Sequence, residues 1–153
     1  MNYWWINHSA DAIVDERGCS LLFAPLKDAG GRDPAHWRRI ESVAAGDVLF
    51  SVRAKGLAAI LTATACGRRM PYPECYTKPA RLGGRPDGRG ITVKWQELPE
   101  PRPIFSLLST EEAAQLLGTG LPLDRNRNQK QGYVFTVPQA IGRRLQEAVG
   151  RRS

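Results

Sequence analysis

The sequence predicts an α+β domain: a mixed sheet of about five to six strands closing into a small β-barrel, with short helices on its periphery. Three observations predict it. Short strand-like runs recur along the chain with short helical stretches between them. No strand is followed directly by a long helix and a second strand, the order a doubly wound parallel sheet needs. The 153 residues carry no internal repeat and no separating linker, so residues 1–150 read as one domain, long enough to bury a core.

Tyr3–Ile6 (YWWI) is aromatic and β-branched, which suits a pleated surface, and reads as the first strand. Cys19–Phe23, bounded by Gly18 and Pro25, reads as the second. Asp33-Pro34 offers a cap and a first-turn proline for a helix through Trp37 to about Val43, ended by Gly46. Asp47–Arg53 and Leu57–Cys66 read as two strands joined at Ala54-Lys55-Gly56, with Gly56 available for positive φ. In Ile91–Leu98 apolar and polar residues alternate as in a half-buried strand. Ser109 followed by Glu112 matches a capping box for a helix through Leu117. Tyr133–Thr136 reads as the last strand, and Pro138–Val149 as the last helix, its apolar face made by Ala140, Ile141, Leu145 and Ala148. Trp4, Trp5 and Trp95 are expected in the core.

The charge points outward. Lys and Arg number 22 against 15 Asp and Glu, a net charge of +7 that favours a polyanionic partner. More than half of it lies between Gly67 and Gly90, where Arg68, Arg69, Lys78, Arg81, Arg85 and Arg89 face only Glu74 and Asp87. Loops this long inside a compact domain are usually functional or disordered. Three cysteines without a C-x-x-C spacing and two distant histidines argue against a disulfide framework and a zinc site, and for a reducing compartment, the cytoplasm. No run approaches the roughly eighteen apolar residues of a membrane span. GGRPDGRG lacks the spacing of a phosphate-binding glycine loop, so no cofactor is expected.

Immediately after Trp5 and Ile6 the chain turns polar at Asn7, His8 and Ser9. Together, YWWINH, LLFAP, GDVLFSVRAKGLAAILTAT and NRNQKQGYVFTVPQA resemble an EVE domain, a member of the PUA-like superfamily related to YTH domains. The resemblance runs from Tyr3 to about Ala148 and is nearest to the N-terminal EVE domains of HNH-type modification-dependent restriction endonucleases. It departs at Phe23-Ala24-Pro25, where the family often has a W-S-P stretch, and in the loop between Arg68 and Arg89, which aligns with nothing.

The resemblance implies a module that binds double-stranded DNA and flips a modified cytosine, 5-methylcytosine or 5-hydroxymethylcytosine, into an aromatic and polar pocket. It places Asn7, His8, Phe23, Ala24, Ser51 and Arg53 around one cavity, with Phe23 stacking on the base and Asn7 reading its edge. Arg68, Arg69, Arg85, Arg125, Arg127 and Lys130 are the candidates for backbone phosphates. Gln129 or Gln131 would fill the gap left in the duplex. Nuclease activity would belong to a fused or associated HNH domain, since neither histidine lies in such an arrangement. The alternatives are a reader of modified RNA and a small nucleoside amidohydrolase, for which Thr62, Thr64 and Glu97 are available but tied by no spacing.

Overall fold

The computed structural model describes residues 1–9, 12–80 and 83–150; Arg81 lies outside the described residues. Seven strands form one sheet: β1 (Tyr3–Asn7), β2 (Leu21–Pro25), β3 (Val48–Arg53), β4 (Gly56–Ala63), β5 (Arg68–Met70), β6 (Gly88–Pro103) and β7 (Val134–Val137). The helices are α1 (Ala12–Cys19), α2 (Ala35–Arg38), α3 (Ile104–Leu107), α4 (Thr110–Ala114) and α5 (Gln139–Gly150), and a 3-10 turn, Arg39–Ser42, extends α2. The strand order is β2-β6-β4-β3-β1-β7, with β5 added to β6. β1 and β3 are parallel and every other pair is antiparallel. The result is a mixed α+β fold with a curled half-barrel sheet, consistent with a PUA-like barrel.

Alternation along β1 divides the core in two. Trp4 and Ile6 point into the barrel with Leu22, Leu49, Leu61 and Ile91, whereas Tyr3 and Trp5 point outward with Phe50 and Val52, under Ile104, Leu116, Ile141 and Leu145. β2 and β7 are the two ends of this strand order. Trp37, Ile40 and Val43, from α2, its 3-10 turn and the residue that follows, pack into the same barrel core. Arg39 Nη1 donates to Val134 O at 2.9 Å, and the Tyr133 N–H donates to His36 Nδ1 at 2.9 Å, which occupies backbone groups where β7 begins.

Several expectations are corrected. Ala54 and Lys55, at φ 48° and 63°, carry the left-handed backbone of the β3–β4 turn, and Gly56 already belongs to β4. Asp33 caps nothing; it binds Arg89 instead. The segment 67–90 is partly strand, because β5 pairs with a β6 that starts at Gly88. Close approach requires glycine there: a Cβ on Gly88 would lie 2.3 Å from Ala24 O. Cys19 and Cys75 form a disulfide, so the cysteines are not all free. The long segment folds back over α1 and closes a sequence separation of 56 residues that spacing rules do not anticipate. The Ser109–Glu112 capping box forms, with both of its hydrogen bonds present.

Candidate functional site

α1 joins the ends of β1 and β2 and organises two layers of side chains. Its buried Asp15 faces the 71–80 segment and its buried Glu16 faces the barrel. The outer layer is aromatic. Phe23 points away from the barrel interior, and Tyr72 and Tyr76 fold over it edge to face, with centroids 5.2 and 6.2 Å from its ring and 5.7 Å from each other. The Arg85 guanidinium lies 5.5 Å from the Tyr72 ring centre.

Polar contacts hold this arrangement. Tyr76 Oη donates to Leu21 O at 2.5 Å, and Tyr72 Oη donates to Lys78 O at 2.6 Å. Asp15 accepts from Thr77 Oγ1 at 2.7 Å and from the Lys78 N–H at 3.1 Å. Burial alone would raise the Asp15 carboxyl; these donors outweigh it and hold the group below the usual aspartate range. Burial pushes the Tyr76 phenol far above its ordinary range, so Tyr76 stays neutral.

The inner layer is a row of polar groups within an otherwise apolar barrel. Ser51 Oγ and His8 Nδ1 are 2.7 Å apart, His8 Nε2 and Glu16 Oε2 are 2.5 Å apart, and Tyr133 Oη donates to Glu16 Oε1 at 2.6 Å. Burial, then the Glu16 charge, raises the Tyr133 phenol well above its ordinary value, so it remains a donor. Trp95 packs against His8 at 5.4 Å between centroids, and its indole N–H donates to Glu97, which also pairs with Arg53 at 2.6 Å. A serine, histidine and carboxylate in line have the connectivity of an activated nucleophile. Ser51 is fully buried, so no substrate atom reaches its hydroxyl in this conformation.

The anticipated single cavity is therefore split. Phe23 lies on one face of β2, and Ala24 lies on the other, in the barrel interior toward which Ser51 and His8 also point. Asn7 is not open to a base edge. Its Nδ2 donates to Lys130 O and Gly132 O at 3.0 and 3.2 Å, and its Oδ1 accepts from Trp5 Nε1 and Gln129 Nε2, both at 2.7 Å. Gln129 is a loop staple for the same reason, since its Oε1 also accepts the Lys55 N–H at 2.8 Å. Arg53 is tied to Glu97, Arg69 to Glu41 at 3.2 Å, and Lys130 Nζ to Gly118 O. Arg68, Arg125, Arg127 and Gln131 are exposed.

Sequence reasoning missed Tyr72, Tyr76, Glu16 and Tyr133. The tyrosines had a signal, PYPECY inside the most basic stretch of the chain, where Pro71 and Pro73 flank Tyr72 and stiffen the backbone. Glu16 had none, because the position of a carboxylate beneath a short helix follows from the barrel's closure. Among the described residues no group of three or more His, Cys, Asp or Glu is placed to hold a metal ion, and no helix is long and apolar enough to cross a membrane.

No protein-family model and no curated protein matches the chain. Solved structures do. The chain is similar over its full length to a hypothetical protein from Leishmania major, with a TM-score of 0.60, 12% identity and 98% of that chain covered. It is also similar to a protein from Pseudomonas putida, with a TM-score of 0.56, 14% identity and coverage of 95% of this chain and 98% of that one. A protein from Pseudomonas syringae aligns with a TM-score of 0.54 at 16% identity, covering 95% of this chain and 97% of that one. These likenesses establish the fold.

Proposed function

We propose that this domain binds duplex DNA and receives a flipped, modified cytosine on the aromatic cluster of Phe23, Tyr72 and Tyr76. The observation that carries this reading is the convergence of three rings, two of them from the most basic segment of the chain, with a guanidinium stacked on the outermost. A flipped base needs aromatic faces and nearby cations for its phosphates. Tyr72 is only partly buried, so an outward swing of its ring opens a stacking face on Phe23 and Tyr76.

A methyl group is worth about 0.8 kcal/mol of burial, roughly fourfold in affinity. Rejection of plain cytosine therefore also relies on the void an unmodified ring leaves. The domain serves, on this reading, as the recognition part of a modification-dependent defence system whose nuclease is a separate domain or chain.

The test is binding to one labelled duplex carrying cytosine, 5-methylcytosine or 5-hydroxymethylcytosine at a single position, with matching RNA as competitor. The reading expects a preference of about tenfold for a modified duplex, abolished in Phe23→Ala and Tyr72→Ala. Equal binding to all three duplexes overturns it, and capture by RNA alone would reassign the cluster to stacking single-stranded bases.

A further inference from the structure

A second concavity, of about 500 Å³, lies apart from the aromatic cluster, between the chain following α4 and the 124–130 loop. Its floor is apolar, formed by Leu117 and the buried Leu123. Its walls carry Asp124, Arg125, Asn126 and Lys130. The volume falls within the range of small-ligand sites, about 300–1,000 Å³.

The loop is preorganised. Asp124 Oδ1 accepts the backbone N–H groups of Asn126 and Asn128 at 2.8 and 3.0 Å, and the Lys130 N–H donates to Pro122 O at 2.9 Å. Asn7 holds the loop's far end through the carbonyls of Lys130 and Gly132. Ligand binding therefore orders little that is not already ordered. The remaining polar groups stand free: among the described residues the Arg125 guanidinium, the Asn126 side-chain amide and Asp124 Oδ2 have no partner. A carboxylate oxygen accepts from an exocyclic amine, and an amide reads the neighbouring edge of the same ring. Arg125, and the Lys130 ammonium protons not used on Gly118 O, suit a phosphate.

From an apolar floor, an amine-accepting carboxylate and two cations we infer that this cavity is a single-nucleotide subsite, selective for a base with an exocyclic amine. In the complex proposed above it would hold a nucleotide other than the flipped one, and to that extent the inference rests on the nucleic-acid reading.

Deoxycytidine 5′-monophosphate, thymidine 5′-monophosphate and inorganic phosphate, titrated separately into the ¹⁵N-labelled chain, test it. Deoxycytidine monophosphate should give saturable shifts at the amides of Gly118, Thr119 and Asn126, and thymidine monophosphate should bind about tenfold more weakly. Arg125→Ala, an exposed change, should weaken the cytidine nucleotide about tenfold. Absence of saturable shifts, equal binding of both nucleotides, or phosphate alone saturating at the same concentration would each overturn the subsite. Duplex binding separates the two ideas. If Arg125→Ala binds modified duplex like the parent, the subsite fails while the reader stands. If modification never affects binding but Arg125→Ala still loses the nucleotide, the reader fails and the subsite stands.

Discussion

His8 Nε2 lies 2.5 Å from Glu16 Oε2 inside the barrel, where the two side chains are 0% and 4% exposed. Each member keeps one further contact, His8 to Ser51 and Glu16 to Tyr133, so removing either leaves a buried ring or carboxylate that is only half satisfied. Glu16→Ala is therefore expected to lower stability by about 2–5 kcal/mol in urea unfolding, since it removes the acceptor of the Tyr133 hydroxyl and the carboxylate beside His8 Nε2. Ser51→Ala removes only the hydrogen bond to His8 and should cost about 1–3 kcal/mol. Equal, small losses for both variants would mean that the row does not act as a unit.

Asn7→Ala should act on the loop rather than on the base. Four hydrogen bonds meet at this carboxamide, and its loss leaves the Trp5 indole N–H and the Gly132 carbonyl without their partner. A stability loss of about 1–3 kcal/mol is expected, with faster proteolysis between residues 124 and 132. Any loss of DNA affinity should be the same for modified and unmodified duplexes. A selective loss for the modified duplex would return Asn7 to the reading of the base.

The Cys19–Cys75 disulfide clips the aromatic segment to the end of α1, next to the Asp15 contacts. Closing a 56-residue separation is worth about 4 kcal/mol in the chain-entropy model. Cys75→Ser should lower stability by several kcal/mol and reduce the preference for modified duplex, because Tyr76 adjoins the released residue. Reductant should reproduce both effects in the parent and add nothing to the variant. A parent protein indifferent to reductant would show that Asp15 and the tyrosines hold the segment without the disulfide.

Much of this fold is legible in the sequence, and the losses have physical causes. β1, β3, β4 and β7 are recognisable because their apolar residues are buried locally, on one or both faces. α1 escapes detection because its buried positions include Asp15 and Glu16, so no apolar stripe marks it. The site is less legible. Phe23 was readable as an aromatic platform, but its partners Tyr72 and Tyr76 meet it only through long-range folding of a segment with no periodicity. Asn7 shows the converse: a residue type suited to reading a base is consumed by bonds to a loop more than 120 positions away.

Acid should weaken the molecule in two stages. Burial, then the Arg39 charge, lowers His36 below its ordinary value of 6.5, as its Nδ1 must stay unprotonated to accept the Tyr133 N–H. Arg89, 1% exposed, binds Asp33 at 2.7 and 2.9 Å and Glu41 at 2.6 Å, and those hydrogen bonds hold both carboxyls below their ordinary values of 3.8 and 4.5. All three groups have depressed folded-state values. Their contributions are complete above the ordinary values and disappear as pH falls through the lowered ones. Melting temperature measured from about pH 7 to pH 3 should fall first below 6.5 and again below 4.5. His36→Gln should flatten the first stage and spare the second. A single fall below 4.5 in the parent would remove His36 from the balance.

Gly142 of α5 lies flat beneath the Tyr3 ring, where an added Cβ would come 2.1 Å from Cγ. The ring has nowhere to go, because it stacks on Phe50 at 5.9 Å and its hydroxyl donates to Gln146 Oε1 at 2.6 Å. Helix propensity alone favours Gly142→Ala by about 1 kcal/mol. Overpacking a filled core works against it by about 1–3 kcal/mol, and contact this close, with the ring held on two sides, lies at the upper end. A net loss of about 1–2 kcal/mol is therefore expected in urea unfolding. The sign should reverse once the ring is gone: in a Tyr3→Ala background, Gly142→Ala should stabilise the helix by its propensity alone. If the alanine destabilises both backgrounds equally, α5 approaches the sheet closely for a reason other than Tyr3.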